Sequence, residues 1–313
     1  MSRRLWLLFG ALTSATAFAD AYDFRVSQLG NPQCKQTAAD GSCSVGGTHY
    51  TASANANFRQ FARRLAAAMT SVNLMPPETL GHSGFAVSAE LSVVDFNPSQ
   101  TAGANNSDQL PTLQPISGPV LLPSLHIRKG LPWSFELGVR AAWFEKSRMG
   151  IGTVELKWAL NEGFTYLPDI GVRGHVSKIL NSRDFDVTAG GLDLGIGKQF
   201  AIGGMVTLTP YVGWDLTFVG ASTGSVDFNP ERSLADSDAP TAQFSDYYIY
   251  DSVLAATNTN NRFYGGFRFI AGVVMLGFEV SYTVLGSFKD KTLGTSVNMP
   301  AMLGYNSTIG FDF

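Results

Sequence analysis

Residues 305–313 read Tyr305-Asn306-Ser307-Thr308-Ile309-Gly310-Phe311-Asp312-Phe313. Tyr305, Ser307, Ile309, Phe311 and Phe313 share one face, and Asn306, Thr308, Gly310 and Asp312 share the other. A period of two is the signature of a strand with unlike surroundings on its two sides. Two arrangements satisfy it. The apolar face can sit on a core with the polar face in water, as in an ordinary edge strand, or it can meet lipid while the polar face lines a lumen. Nine residues fit both, so the rest of the chain decides.

The opposite end points to export. Arg3 and Arg4 precede an apolar run from Leu5 to Leu12, and Ala17-Phe18-Ala19 fits the small-residue pattern of a secretory cleavage site. Residues 1–19 therefore read as a signal peptide, with cleavage before Asp20. The apolar run is too short to span a bilayer, which takes roughly 20 residues as a helix. No later segment supplies one. For an exported membrane chain without spanning helices, a closed barrel remains, because each backbone polar group in lipid needs an internal partner.

Composition agrees. The chain has 313 residues with only 15% charged, a formal net charge of -3, 33 Gly and 22 Phe. Such sparse charge is unusual for a soluble protein, and natural for a barrel with apolar outward and polar inward positions. No basic excess suggests nucleic acid, and no cofactor motif is present. Cys34 and Cys43 are the only cysteines. Export into an oxidising compartment favours a disulfide between them, whereas zinc would need more ligands than nearby His49 supplies.

From Gly84 onward, alternation divides the chain into about ten strands (range 8–12), each long enough for a tilted crossing. The first runs from Phe85 to Val94 with Glu90 inward, and the second, near Val120 to Arg128, turns Ser124, His126 and Arg128 inward. Lys129-Gly130-Leu131-Pro132 reads as a tight turn. The third is the clearest: Trp133, Phe135, Leu137, Val139, Ala141 and Trp143 alternate with Ser134, Glu136, Gly138, Arg140 and Ala142. The fourth sets Val154, Leu156 and Trp158 against Glu155 and Lys157, and the fifth sets Val172 and Val176 against Arg173 and His175. In the sixth, Phe185, Val187 and Ala189 read as outward. The apolar set then shifts phase to Leu192, Leu194 and Ile196, with Asp193 inward, so Gly190-Gly191 reads as a β-bulge. The seventh carries Asp215 inward, the eighth Arg268 and the ninth Glu279; the terminal strand is the tenth. Residues 244–254 offer an extra hairpin, the route to twelve.

Long gaps after strands one, seven and nine alternate with tight ones after two and eight, as when both ends of the barrel's chain lie in the periplasm, while the short outer gaps after three and five leave the rim uneven. Aromatics fall in two belts, with Trp133, Trp158, Phe311 and Phe313 at the inner ends and Trp143, Phe185, Phe218 and Phe263 at the outer ends. The expected fold is thus an all-β, antiparallel transmembrane barrel over residues 83–313, preceded by an N-terminal segment, residues 20–82.

That segment changes period. Between Asn55 and Leu74, Phe58, Phe61, Leu65, Met69 and Val72 fall on one helical stripe with Arg59, Arg63 and Arg64 off it, and Pro76-Pro77 stops the helix. The stripe can pack on an apolar partner, plug the lumen with its arginines meeting inward carboxylates, or lie on the periplasmic membrane surface. Phe58, Arg59, Phe61, Arg63, Arg64 and Leu65 are the candidate plug residues.

The strand pattern and the aromatic terminus resemble bacterial outer-membrane β-barrels over residues 84–313. The resemblance implies residence in the Gram-negative outer membrane, contact with its lipid and lipopolysaccharide, and recognition of Phe313 by the barrel assembly machinery. A helical plug before a barrel is similar to the FadL-type transporters of hydrophobic compounds, but only in architecture. That family has fourteen strands, and the Asn-Pro-Ala element of its hatch is absent here.

The inward positions carry Glu90, His126, Arg128, Glu136, Arg140, Glu155, Lys157, Arg173, His175, Asp193, Asp215, Arg268 and Glu279. Near-balanced charge in a narrow interior favours mutual neutralisation, since an unpaired buried charge is costly; a ring selecting small solutes is the functional alternative. Hydrolase chemistry would need His126 with Ser124, or His175 with Ser177, within hydrogen-bond reach. Residues two apart on a strand are about 6.5 Å apart, so no catalytic residues are assigned. The acidic loop at residues 221–261 lacks the frame of a dedicated calcium site, so no metal site is assigned. The expectation is porin-like passive transport or binding of a small solute, with an apolar one favoured by the helix and by Tyr247, Tyr248 and Tyr250. A structural or assembly protein with a sealed lumen is the alternative, and an outer-membrane hydrolase a third.

Overall fold

A computed structural model describes residues 23–30, 53–70, 72–96, 111–112, 119–164, 166–203, 206–227 and 247–313. The signal and the cysteine pair lie outside them. Ten long strands follow a single helix: α1 (Ala54–Met69), β1 (Phe85–Val94), β2 (Val120–Leu131), β3 (Phe135–Trp143), β4 (Gly150–Asn161), β5 (Asp169–Leu180), β6 (Phe185–Gly197), β7 (Val206–Thr223), β8 (Thr259–Ala271), β9 (Val274–Val284) and β10 (Met302–Asp312). Each pairs antiparallel with its sequence neighbours, and β1 pairs with β10 from Ala86 opposite Asp312 to Val94 opposite Gly304. The ring is closed, so no lipid-facing edge is left unpaired.

Along every strand, burial alternates with a period of two. Leu125, Val139, Val154, Leu156, Val176, Leu192, Val212, Phe267 and Ile309 are each 40–60% exposed around the outside. An apolar surface that wraps the whole ring far exceeds the patches of a soluble monomer and is the exterior of a transmembrane barrel. No described helix is long and apolar enough to cross a membrane. The crossing is made by strands.

The connections divide between two rims. One carries the tight turns at residues 132–134 and 272–273 and the connections from β4 to β5 and β6 to β7; the other carries the connections from β1 to β2, β7 to β8 and β9 to β10, which are the longest, beside short ones at residues 144–149 and 181–184. These are the turn end and the loop end. At the turn end, Trp133 (φ 62) and Ser134 (φ 60) occupy successive left-handed positions, the geometry of a two-residue hairpin turn. The tight turn is therefore at 132–134 rather than 129–132, and Trp133 is a turn residue, almost fully exposed, instead of the start of a strand. Tyr247–Tyr248 pairs only with Val226–Asp227 in a small ribbon, and the barrel stays at ten strands.

The β-bulge expected at Gly190-Gly191 is absent. Both ladders of β6 run without a register shift from Thr188 to Gly197. Phe185, Val187 and Ala189 share the parity of Asp193, and all four are buried inside the ring. What changes at the glycine pair is the lumen, apolar in its loop-end half and charged in its turn-end half. Phe185 therefore leaves the outer aromatic belt, while Trp143 and Phe218 remain exposed on it.

Candidate functional site

The interior is the place where side chains of unlike chemistry converge. In the turn-end half, each strand contributes charges directly across from its neighbour's: His126 faces Arg140, Glu136 faces Lys157, Glu155 faces His175, and Arg173 faces Asp193. Cross-strand neighbours are close enough to pair, and they join into a lattice. His126 Nδ1 lies 2.8 Å from Glu90 and its Nε2 3.0 Å from Glu155. Arg140 reaches Glu90 at 2.7 Å, and Arg173 bridges Glu155 and Asp193 at 2.8 Å each. Lys157 and Arg128 share Glu136 at 3.1 and 3.5 Å.

Asp193 and Asp215 stand opposite each other, a like-charge pair that needs cations between them. Arg173 supplies one, and Arg262 the other, at 2.9 Å from Asp215 and 3.6 Å from Asp193. His175 caps Asp215 at 3.0 Å. Sequence reading placed the strand start at Phe263 and so missed Arg262, fully buried among the polar residues before it. Tyr211, on the inward face of its strand as its alternation implies, and Tyr264, which the candidate set missed, both face the lumen; their hydroxyls donate to Glu279 and Asp193.

Across this lattice runs an extended strap, residues 72–80, and the same charges hold it. Arg140 donates to Val72 O, and Glu279 accepts from Asn73 N at 3.1 Å and Leu74 N at 2.8 Å. Lys157 donates to the carbonyls of Pro76 and Glu78, Glu136 accepts from Leu80 N, and Arg268 pairs with Glu78. At the turn end, Glu162 accepts from Thr79 N and Oγ1. Partial burial pushes the Glu162 carboxyl up, but hydrogen bonds from Ser134 and Thr79 outweigh it and hold it below the usual carboxylate range.

The strap explains the length of α1. The helix ends at Met69, where the Thr70 N–H and hydroxyl both bond Ala66 O, well short of Pro76. Beyond it, the amides of Asn73 and Leu74 go to Glu279 rather than to a further helical turn.

In the loop-end half, α1 is buried from Gln60 to Met69, with Asn55, Asn57 and Arg59 partly exposed, and touches β5, β6, β7, β8 and β10. Phe61 packs edge-on between Phe24 (5.4 Å) and Phe185 (5.5 Å), and Phe58 stacks on Tyr250 at 5.1 Å. Inward Val94, Leu122, Ile151, Ile179, Val187 and Val219 complete the apolar sleeve, with Leu65 buried among them. Arg59 and Arg63 do not meet carboxylates, as a plug was expected to do. Arg63 bonds Asn260 Oδ1 at 3.2 Å and the carbonyls of Thr259 and Leu285, while Arg59 bonds Asn258 Oδ1 and lies over the Phe288 ring at 4.4 Å. Their acceptors are backbone carbonyls near the strand ends and asparagine side-chain oxygens. Arg64 is buried on the same helix.

Inward glycines make room for this filling. A Cβ at Gly171 would lie 2.7 Å from Pro77 O of the strap, and one at Gly213 would lie 2.1 Å from Tyr264 Oη and 2.8 Å from Leu194 O. Gly213→Ala is therefore expected to push Tyr264 off Asp193 and to cost about 1–3 kcal/mol, the usual price of overpacking. A lowered thermal transition in detergent checks it; an unchanged one would mean the tyrosine moves freely.

The thirteen charged residues expected inward are all buried within the ring. The serine–histidine pairs are not brought together by hydrogen bonds: the Ser124 hydroxyl bonds Glu90, and that of Ser177 bonds Thr153. No group of metal-ligating side chains occurs among the described residues.

No protein-family model matches the chain, and no curated protein matches it. Among solved structures, it is similar to OmpT, an outer membrane protein of Vibrio cholerae, at 9% identity over 62% of this chain and 56% of OmpT, with a TM-score of 0.27. Ail, the attachment invasion locus protein of Yersinia pestis, matches at 10% identity over 74% of this chain and 99% of Ail, with a TM-score of 0.25. The toluene transporter TbuX of Ralstonia pickettii matches at 12% identity over 79% of this chain and 93% of TbuX, with a TM-score of 0.28. The barrel itself rests on the strand ladders described above.

Proposed function

We propose that this chain is an outer-membrane barrel that binds or passes a small solute, with its loop end outside and its own N-terminal segment closing the lumen at rest. What supports this reading is the nature of the filling. Narrow barrels are commonly packed by side chains of their own strands. Here α1 and the strap form one continuous stretch of chain from the loop end to the turn end, able to shift as a unit. Burying Phe58, Phe61, Leu65 and Met69 is worth roughly 1.5–3 kcal/mol each, so the closed form dominates and a permanently open pore is not its resting state.

For an apolar solute, the support from α1 is weakened because its apolar side chains are occupied by the sleeve, and the Tyr250 hydroxyl bonds Val26 O and Gly30 O, while Tyr247 and Tyr248 stay partly exposed. The second reading, a structural or assembly protein with a sealed lumen, is favoured by the lattice, which must be broken before the strap can leave. Phe313, whose N–H and carbonyl pair with Phe85 at the seam, is the proposed contact for the assembly machinery. Lipid and lipopolysaccharide are the proposed surroundings.

Conductance in planar bilayers tests the choice. The full chain is expected to be almost silent, and a variant lacking residues 20–81 to conduct steadily. Silence of both, with the shortened barrel shown to be folded by its strand signal in circular dichroism, would select the sealed reading.

A further inference from the structure

At the loop end, the first turn of α1, the loop after β7 and the loop after β9 enclose a cleft of about 560 Å³, counting its open mouth. Its charge is unbalanced. Arg59, Lys289 and Lys291 line it against Asp251 and Asp290. Asp290 is already committed, since its buried carboxylate accepts from Ser53 N at 2.6 Å, Ser53 Oγ at 2.9 Å and Thr292 N at 2.8 Å. The Arg59 guanidinium has one face on Phe288, its Nε on Asn258 and its Nη2 at 3.5 Å from Thr257 O, which leaves it half-buried and oriented, bordering the cleft. Leu254, largely exposed on the opposite lip, adds an apolar wall.

We propose that this cleft binds a small organic carboxylate, with the carboxylate on Arg59 and the two lysines and the apolar body against Leu254. An oriented, partly desolvated guanidinium is the side chain best suited to a carboxylate. The cleft lies between the first turn of α1 and residues 251–258 and 288–292, not on the outward face of the strands, which suits a soluble ligand rather than a lipid headgroup in the surrounding bilayer. The site deepens the solute-binding reading above and rests on the loop end facing outward. Because Arg59 and Arg63 lie four residues apart on α1, the ligand would touch the same helix that closes the lumen.

The test is calorimetric titration of the detergent-solubilised full chain with benzoate, with benzamide as the neutral match and inorganic phosphate as the anion without an apolar body. Benzoate is expected to bind, and benzamide not. Arg59→Gln and the double variant Lys289→Gln/Lys291→Gln should each weaken benzoate at least about tenfold, the scale of one lost charge-assisted contact. The lysines are exposed and outside the packing of the plug, so that variant keeps the fold. No benzoate binding, equal binding of benzamide, equal binding of phosphate, or affinity unchanged in both variants would each overturn the proposal. Benzoate binding by a barrel that never conducts would leave this site standing and remove the transport reading, while conductance without benzoate binding would do the reverse.

Discussion

Glu279→Ala is expected to lower the thermal transition of the barrel by on the order of 10 °C and to loosen the strap. Glu279 is fully buried, and its two oxygens accept from Asn73 N, Leu74 N, Tyr211 Oη and Asn306 Nδ2, with Arg262 at 3.8 Å. Alanine leaves two backbone amides, a hydroxyl, an amide and part of a guanidinium without their acceptor. Removing one member of a buried charged network costs about 3–5 kcal/mol, and in a domain of this size each kcal/mol moves the transition by roughly 2–4 °C. Glu279→Gln retains an acceptor oxygen and should fall between. Circular dichroism against temperature measures the shift, and hydrogen exchange at residues 73–80 measures the strap. A transition within about 2 °C of the parent's, with the strap still protected, would show that Glu279 does not anchor it.

Phe61→Ala should act on the plug and spare the strands. The ring packs between Phe24 and Phe185 in the middle of the apolar sleeve and is 4% exposed. Truncating a buried Phe costs about 3–5 kcal/mol. The strand ladders do not depend on this contact, so the loss should fall on the docking of α1. Amide exchange over residues 54–70 is expected to accelerate by two to three orders of magnitude, at about 1.4 kcal/mol per decade, while exchange in β2 to β5 stays put. Brief openings should appear in bilayer records. Equal acceleration in helix and strands would mean that plug and barrel come apart together.

The ten strands were legible because the outside of the ring presents one chemistry from rim to rim, so a period of two survives along each of them. The interior has no such uniformity. Phe185, Val187 and Ala189 were read outward on the rule that apolar means lipid-facing, and the rule failed because the loop-end lumen is lined for a helix. The charged positions were readable since they alternate with strongly apolar neighbours. Arg262 was not, because Asn260 and Asn261 before it gave its stretch the look of a loop. The strap carries no period at all: Glu78 became a lumen residue only through Arg268, a partner far away in sequence. The acceptors of Arg59 and Arg63 are carbonyls and asparagine amides that no sequence pattern displays.

The path of the N-terminal segment bears on how the molecule is made. Phe24 and Ser53 lie at the loop rim, the strap leaves at the opposite rim, and β1 follows at once. Pairing of β1 with β10 closes the ring, so the helix either lies in the open sheet before that closure or is threaded through afterwards against a tight sleeve. The first route makes the segment a mandrel around which the wall is wound. A chain deprived of it would then be slow to mature even where the finished wall could stand alone.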